Sequence, residues 1–350
     1  MHRAMRSRRD ALRLLALSAG ASSGFVRNAA AQADIAPFRQ VTIYMSTTPG
    51  GSFDLYARLL SRHMGKYLPG NPSIVISHMP GSGGLAMTNR LYNVAAKDGS
   101  ELGMPERTLP TEPILRKNSL ARYEADKFNW IGSMNREVGV LQFWQAKPTT
   151  LADVLSGMEY PVGATGATSD ASTFYRVINH LLGARLKNIP AYPGAIETLQ
   201  AMETGELAGT AAVSLATTLK ARPDWLSSGK SKILMQMTLE RSRHLPDVPC
   251  IKELVGNDLD REVIDLILSC QDLGRPLIAP PGAPPARVEA LRQAFSRTVR
   301  DPEAVAEAQK INLDLDFIEG ARAQEMIAKM VATPKRVVDR AREIFAEQEP

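Results

Sequence analysis

Three times along this chain, a short β-patterned run ends in a loop of glycines and small polar residues, and that loop opens a helix-patterned stretch. Residues 41–45 lead through Thr47-Thr48-Pro49-Gly50-Gly51-Ser52 into a helix expected over about 53–67. Residues 73–77 lead through Pro80-Gly81-Ser82-Gly83-Gly84 into a helix ending near Ala96. Residues 161–163 lead through Ala164-Thr165-Gly166-Ala167-Thr168-Ser169 into a helix over about 172–182. Such units build an α/β protein, because parallel strands need a crossover long enough to hold a helix. A length of 350 residues predicts about two domains. No Gly/Ser linker, low-complexity tract or internal repeat divides the chain. The expected architecture is two lobes of mostly parallel sheet joined by crossing strands, an arrangement that hinges.

Further strands are expected at 138–143, 189–192, 207–213 and 233–237. Further helices are expected at 150–156, 195–204, 285–298, 302–310, 321–333 and up to Ala346. Residues 276–285 hold five prolines, which rules out a helix or a central strand there.

The net charge of +5 does not point to nucleic acid. Six of the 42 basic residues but only one of the 37 acidic residues fall within 1–33, so the remainder is balanced. That opening stretch reads as an export signal, with arginines up to Arg13, a short apolar run at 14–21, and Ala31-Gln32-Ala33 as the cleavage site. Ser7-Arg8-Arg9-Asp10-Ala11-Leu12-Arg13 resembles a twin-arginine signal, and general secretory export is the other route. Either route leads to the periplasm, with cleavage expected after Ala33. Two cysteines exclude a disulfide framework and a multi-thiolate zinc module. Export permits a disulfide between Cys250 and Cys270, and the other reading, which is preferred, is two separate, partly buried thiols. No apolar run approaches the roughly 18 residues of a membrane span.

Glycine lets backbone approach a ligand closely, and the first N–H groups of a helix are unpaired and partly positive. Each loop is therefore a candidate anion site for a carboxylate or phosphate. The same loops also serve as plain capped turns, with Ser52, Ser82 or Ser169 as N-cap. Asp54 would repel an anion and is read as a structural acid in a first helical turn. Walker, dinucleotide-binding, nucleophile-elbow and H-E-x-x-H motifs are all absent. No catalytic residue, metal or cofactor is expected.

At these residues the chain resembles the tripartite tricarboxylate transporter receptors, also called Bug-type periplasmic solute-binding proteins. Pro49-Gly50-Gly51-Ser52-Phe53-Asp54 is similar to their first-loop motif and Pro80-Gly81-Ser82-Gly83-Gly84 to their second. Ala95-Ala96-Lys97-Asp98-Gly99, Tyr192-Pro193-Gly194-Ala195, the stretch from Arg241 to Pro249 and the stretch from Leu277 to Pro284 follow in family order. The resemblance implies a Venus-flytrap fold, with residues 34–133 plus 272–350 in one lobe and 134–271 in the other. It implies a receptor that binds a small organic acid and hands it to a membrane transporter of one large and one small subunit. The carboxylate would be held by Gly50, Gly51 and Ser52 facing Gly166, Thr168 and Ser169, with Thr48, Gly81, Ser82 and Gly83 as further contacts. Arg107 is a candidate for gripping a second carboxylate, or else an arginine paired with Glu106 or solvent. The chain departs from the family pattern at Ser172, where many members have His, at Ala208, where many have Asp, and at Glu106-Arg107, where small polar residues are common. It is expected to act as a monomer. Two other readings are an exported α/β enzyme using Ser52 or Ser169 as nucleophile, and a ligand-binding subunit of a signalling receptor.

Overall fold

The computed structural model describes residues 35–116, 119–145, 148–167 and 169–346. The expected export signal and the candidate Thr168 lie outside the described residues. In chain order the strands are β1 (Gln40–Met45), β2 (Ser73–His78), β3 (Glu101–Met104), β4 (Asn129–Ser133), β5 (Gly139–Trp144), β6 (Glu159–Gly163), β7 (Arg185–Ile189), β8 (Gly209–Thr210), β9 (Ser231–Met237), β10 (Pro276–Ala279) and β11 (Ile318–Glu319). The longer helices are α1 (Ser52–His63), α2 (Leu85–Asn93), α3 (Asp170–Leu182), α4 (Ala195–Glu203), α5 (Leu215–Ala221), α6 (Asp258–Leu268), α7 (Pro285–Val299), α8 (Pro302–Lys310), α9 (Gly320–Val331) and α10 (Lys335–Ala346). No described helix is long and apolar enough to cross a membrane.

The strands form two sheets, ordered β11-β4-β10-β3-β1-β2 and β7-β6-β8-β5-β9. Among the described strands, parallel ladders join β1 to β2 and β3, and β6 to β7 and β8. The strands nearest the passage between sheets pair antiparallel: β10 with β3 and β4, and β5 with β8 and β9. The sheets are thus mixed, more so than the strand–loop–helix pattern predicts. The outgoing and returning chain lie side by side and run in opposite directions. Between the sheets these two segments hydrogen-bond directly, Met134 N–H to Arg275 O at 3.0 Å, Gly274 N–H to Asn135 O at 3.0 Å and Glu137 N–H to Gln271 O at 2.7 Å.

Several expectations need correcting. The proline-rich stretch does contain a central strand, β10, between β3 and β4. Pro276 begins it, and Pro280 and Pro281 follow its end, so residues 277–279 keep their ladder donors. The strand expected at 189–192 lies earlier, at Arg185–Ile189, and the one at 207–213 shrinks to Gly209–Thr210. Strands β3, β4 and β11 escaped the pattern, as did most of α6. Cys250 and Cys270 are separate buried thiols.

Burial follows the pleat. In β1, Val41, Ile43 and Met45 turn inward and pack with Leu59 and Leu60 of α1 and Phe295 of α7. Around the second sheet, Phe143, Val162, Phe174 and Met235 share a core. Helix α10 ties regions together: Arg340 pairs with Asp260 of α6 at 2.7 Å, Arg336 with Glu262 at 2.7 Å, and Arg342 donates to the Ile114 carbonyl at 2.8 Å. Gly132 of β4 lies against Phe295, where an added Cβ would stand 2.3 Å from the ring. Gly132→Ala is expected to cost about 1–3 kcal/mol through displacement of that ring. Urea unfolding measures this, and a loss below about 0.5 kcal/mol would show that the ring yields freely.

Candidate functional site

The strand ends and loops of both sheets surround a cavity of about 330 Å³. Its first wall is the loop between β1 and α1. Asp54, in the first turn of α1, accepts from the Gly50 N–H at 3.0 Å and from Arg58 Nε at 2.9 Å. His78, at the end of β2, lies 3.3 Å from Asp54 and donates through Nδ1 to the Thr47 carbonyl at 2.8 Å. Burial pushes the Asp54 carboxyl up, but the Arg58 and Gly50 hydrogen bonds and the Arg58 and His78 charges outweigh it, so it sits below its ordinary value. Asp54 therefore holds the loop from behind, as the sequence suggests. The N-cap of α1 is Gly51, and no side chain caps it. Ser52 is not a cap; its Oγ accepts from Arg275 Nη2 at 2.7 Å.

The second wall is the loop after β2. Gly81, Ser82, Gly83 and Gly84 all have positive φ, from 48° to 137°. An added Cβ on Gly84 would lie 3.0 Å from both Leu109 and Ser46, so this turn needs glycine for space as well as conformation. The third wall precedes α3. Ser169 caps α3, accepting from Ser172 N–H at 3.4 Å, and its Oγ also donates to the Gly166 carbonyl at 2.7 Å. Ser172 Oγ donates to that same carbonyl at 2.6 Å.

Two more helix starts complete the ring. Pro193, Gly194 and Ala195 bring in α4, whose N-cap Gly194 has no side-chain cap bond. Residues 212–214 bring in α5, capped by Ser214. The first turns of α1 and α4 thus reach the cavity with no N-cap side chain on their N–H groups, while α3 and α5 each have one N–H taken by the cap serine, Ser172 by Ser169 and Thr217 by Ser214.

The floor is charged. Arg107, Asp170 and Arg275 line it and are all buried, with Glu137 buried behind them. Arg107 Nη1 lies 3.2 Å from Glu137 Oε2, and its Nη2 pairs with Asp170. Arg275 Nη1 pairs with the same Glu137 oxygen, and its guanidinium stacks over Phe53 at 4.3 Å. Burial raises the Glu137 carboxyl, but Arg275 and Arg107 overcome this and hold it low. Glu106 also lines the cavity. Burial, with Asp170 adding to it, pushes its carboxyl up to about 7 against the opposing pull of Arg107 and Arg275.

Of the candidate residues, Thr48, Gly51, Ser52, Gly81, Ser82, Gly83, Arg107 and Ser169 line the cavity. Gly50 and Gly166 are not among its lining residues. Arg107 is engaged by Glu137 and Asp170 rather than by Glu106 or solvent. Sequence reasoning missed the Arg275–Glu137 pair, Asp170 and the α5 start, and it placed the α4 start at Ala195 without assigning it to the site. Gly194 and Ser214, each just before a helix, were the available signals for the last two.

Removing the Glu137 carboxylate strands two buried guanidiniums. Glu137→Ala is expected to cost about 3–5 kcal/mol, read by chemical denaturation at neutral pH. Its carboxyl is lowered in the fold, so its contribution is complete above the ordinary value of 4.5 and is lost as pH falls through the lowered one. The gap between wild type and variant should therefore narrow in acid, and a gap constant down to pH ~3 would contradict this assignment.

Comparisons with known proteins place this geometry. The sequence model of the family described as tripartite tricarboxylate transporter family receptor matches residues 56–342. A UPF0065 protein of Cupriavidus necator is 24% identical over 322 residues, covering 89% of this chain and 90% of that one. Among solved structures, malate-bound MatC of Rhodopseudomonas palustris is 23% identical with a TM-score of 0.66, covering 88% of this chain and 99% of that one. The periplasmic binding protein BugD is 21% identical with a TM-score of 0.65, covering 89% and 98%. An R. palustris protein solved with adipate is 19% identical with a TM-score of 0.65, covering 87% and 98%. The structural likenesses show a shared two-lobed fold.

Proposed function

Because the chain belongs to the tripartite tricarboxylate transporter receptor family, a family of periplasmic solute-binding receptors, we infer that it captures a small organic carboxylate in the cavity between its sheets. The observation that carries this is the convergence on one cavity of the α1 and α4 starts, neither of them side-chain capped, with the positive-φ turn at 81–84. Backbone N–H groups there bind an anion without a protein countercharge, which suits reversible capture. Malate and adipate in relatives of the same fold point to the same ligand size. The cavity of about 330 Å³ suits a molecule of that scale.

Thr48, Gly50, Gly51, Ser52, Gly81, Ser82, Gly83, Gly166, Thr168 and Ser169 are the proposed contacts from the three loops. Residues 34–133 and 272–350 would form one body and 134–271 the other, with α10 docked across the boundary onto α6 and the two moving about the paired segments at 134–137 and 271–275. A ligand touching both bodies shifts the population toward the closed form. The closed surface is then what the large and small membrane subunits of the transporter would read, with the receptor acting as an exported monomer. The reading with Ser52 as nucleophile is not favoured. Ser52 faces Arg275, which cannot act as a base, and among the described residues no histidine lines the cavity.

A thermal-shift screen of the purified chain against mono-, di- and tricarboxylates, amino acids and aromatic acids tests this. A ligand at 100 times its Kd adds roughly 2.7 kcal/mol, several degrees in Tm. A shift confined to carboxylates supports the reading. No shift with any acid, with native mass spectrometry showing no retained ligand, sinks it.

A further inference from the structure

The carboxylate-receptor reading leaves the rest of the ligand undefined, and the charges of the cavity define it further. Three carboxyl groups, Glu106, Glu137 and Asp170, meet two guanidiniums, Arg107 and Arg275. Both arginines are already neutralised. Arg107 is shared by Glu137 and Asp170, and Arg275 is held by Glu137 and Ser52. With all three acids ionised, the cluster carries one surplus negative charge.

That surplus has an address. Glu106 lines the cavity, and among the described residues its carboxyl has no hydrogen-bond or ion-pair partner. Asp170 also lines the cavity, is only 6% exposed, and its Oδ1 is buried without a partner. Glu106, half-buried at the cavity wall, therefore presents acceptors that no protein donor meets, and the enclosed Asp170 Oδ1 beside it has no donor either, which is costly for a buried acceptor. A dicarboxylate would bring only further acceptors and a second negative charge to this end. A ligand with an ammonium group would supply donors and cancel the surplus.

We propose that Glu106, with Asp170 beside it, receives the ammonium group of an amino-carboxylate whose carboxylate end is held by the backbone N–H groups of the loops. The inference rests on the carboxylate-receptor reading and names the ligand class within it. The groups facing Glu106 are Arg107 on its own loop, Asp170 from α3, and Arg275 from the returning segment. Because the Glu106 carboxyl titrates near 7, capture of an ammonium should tighten as pH rises from 6 to 8. Capture of a second carboxylate should do the reverse, since it needs Glu106 protonated.

Isothermal titration of the chain with matched pairs, 4-aminobutyrate against glutarate and β-alanine against succinate, tests the proposal at pH 6 and 8. The expected result is that an amino acid binds at least about tenfold tighter than its matched diacid at pH 8 and tightens with pH. E106Q, checked for an unchanged fold by circular dichroism, should lose most of that preference and its pH dependence. Diacids binding as tightly or more tightly, or a preference unchanged in E106Q, overturns the proposal while leaving a carboxylate receptor standing. If neither member of either pair binds, nor any acid in the thermal screen, the receptor reading falls and this proposal with it.

Discussion

The structure turns on one buried carboxylate. Glu137 lies on the chain segment leaving the first sheet, and Arg275 lies on the segment returning to it. Their side chains pair where the two segments already share backbone hydrogen bonds. Arg107, from the loop after β3, reaches the same oxygen and then continues to Asp170 at the start of α3. One acid thus fastens both crossings and an arginine that spans the two sheets. Such a cluster is costly to desolvate, and it is tolerable only because nearly every charge meets an opposite one. Its pairing imposes geometry more than it adds stability. With Glu137 fixed, Arg275 can stack on Phe53 and present a donor to Ser52.

Around this floor, the helix starts divide by capping. Where Ser169 and Ser214 supply caps, the first-turn N–H groups are partly occupied, and those helices serve as walls. Where glycine takes the cap position, at Gly51 and Gly194, no side chain competes for the N–H groups. Asp54 carries the argument further. An acid one turn into α1 would oppose an anion, yet it is turned back onto Gly50, Arg58 and His78, so its charge is spent in holding the loop. The loop is organised before any ligand arrives, which spares the ligand part of the ordering entropy.

The legible parts of this site are the local ones. Glycines at 50, 81, 83 and 84 mark turns because they take a positive φ that a Cβ disfavours, and that constraint is written in adjacent residues. Elements α1, α3 and α8 were readable for the same reason, through periodicity and end signals. The floor was not. Glu137 and Arg275 are 138 residues apart, and Ser52 and Arg275 are 223 apart. No local pattern announces a pair whose partners meet only through topology. Strand β10 failed differently: five prolines in ten residues looked prohibitive, but what matters is which ladder positions they occupy, and residues 277–279 are free of them.

In the proposed hinge motion, the hinge and the site would draw on the same charges, which would link ligand capture to lobe movement. Arg107 belongs to the first-sheet loop and Asp170 to the second-sheet helix, so their ion pair bridges the cleft within the cavity itself. Arg116 adds a second bridge, donating to the Ala167 carbonyl at 3.2 Å. Opening the cleft must separate Arg107 from Asp170, but Arg107 would still keep Glu137, so the guanidinium is never left without a countercharge. Asp170, by contrast, would be released into solvent, where a carboxylate is well hydrated. The contribution of this pair to the cost of opening is therefore the difference between one buried pair and its hydrated parts, a small net quantity because desolvation cancels most of the attraction. A small bias is what a receptor requires. A deep preference for the closed form would block entry, whereas a shallow one lets modest differential contacts decide the population.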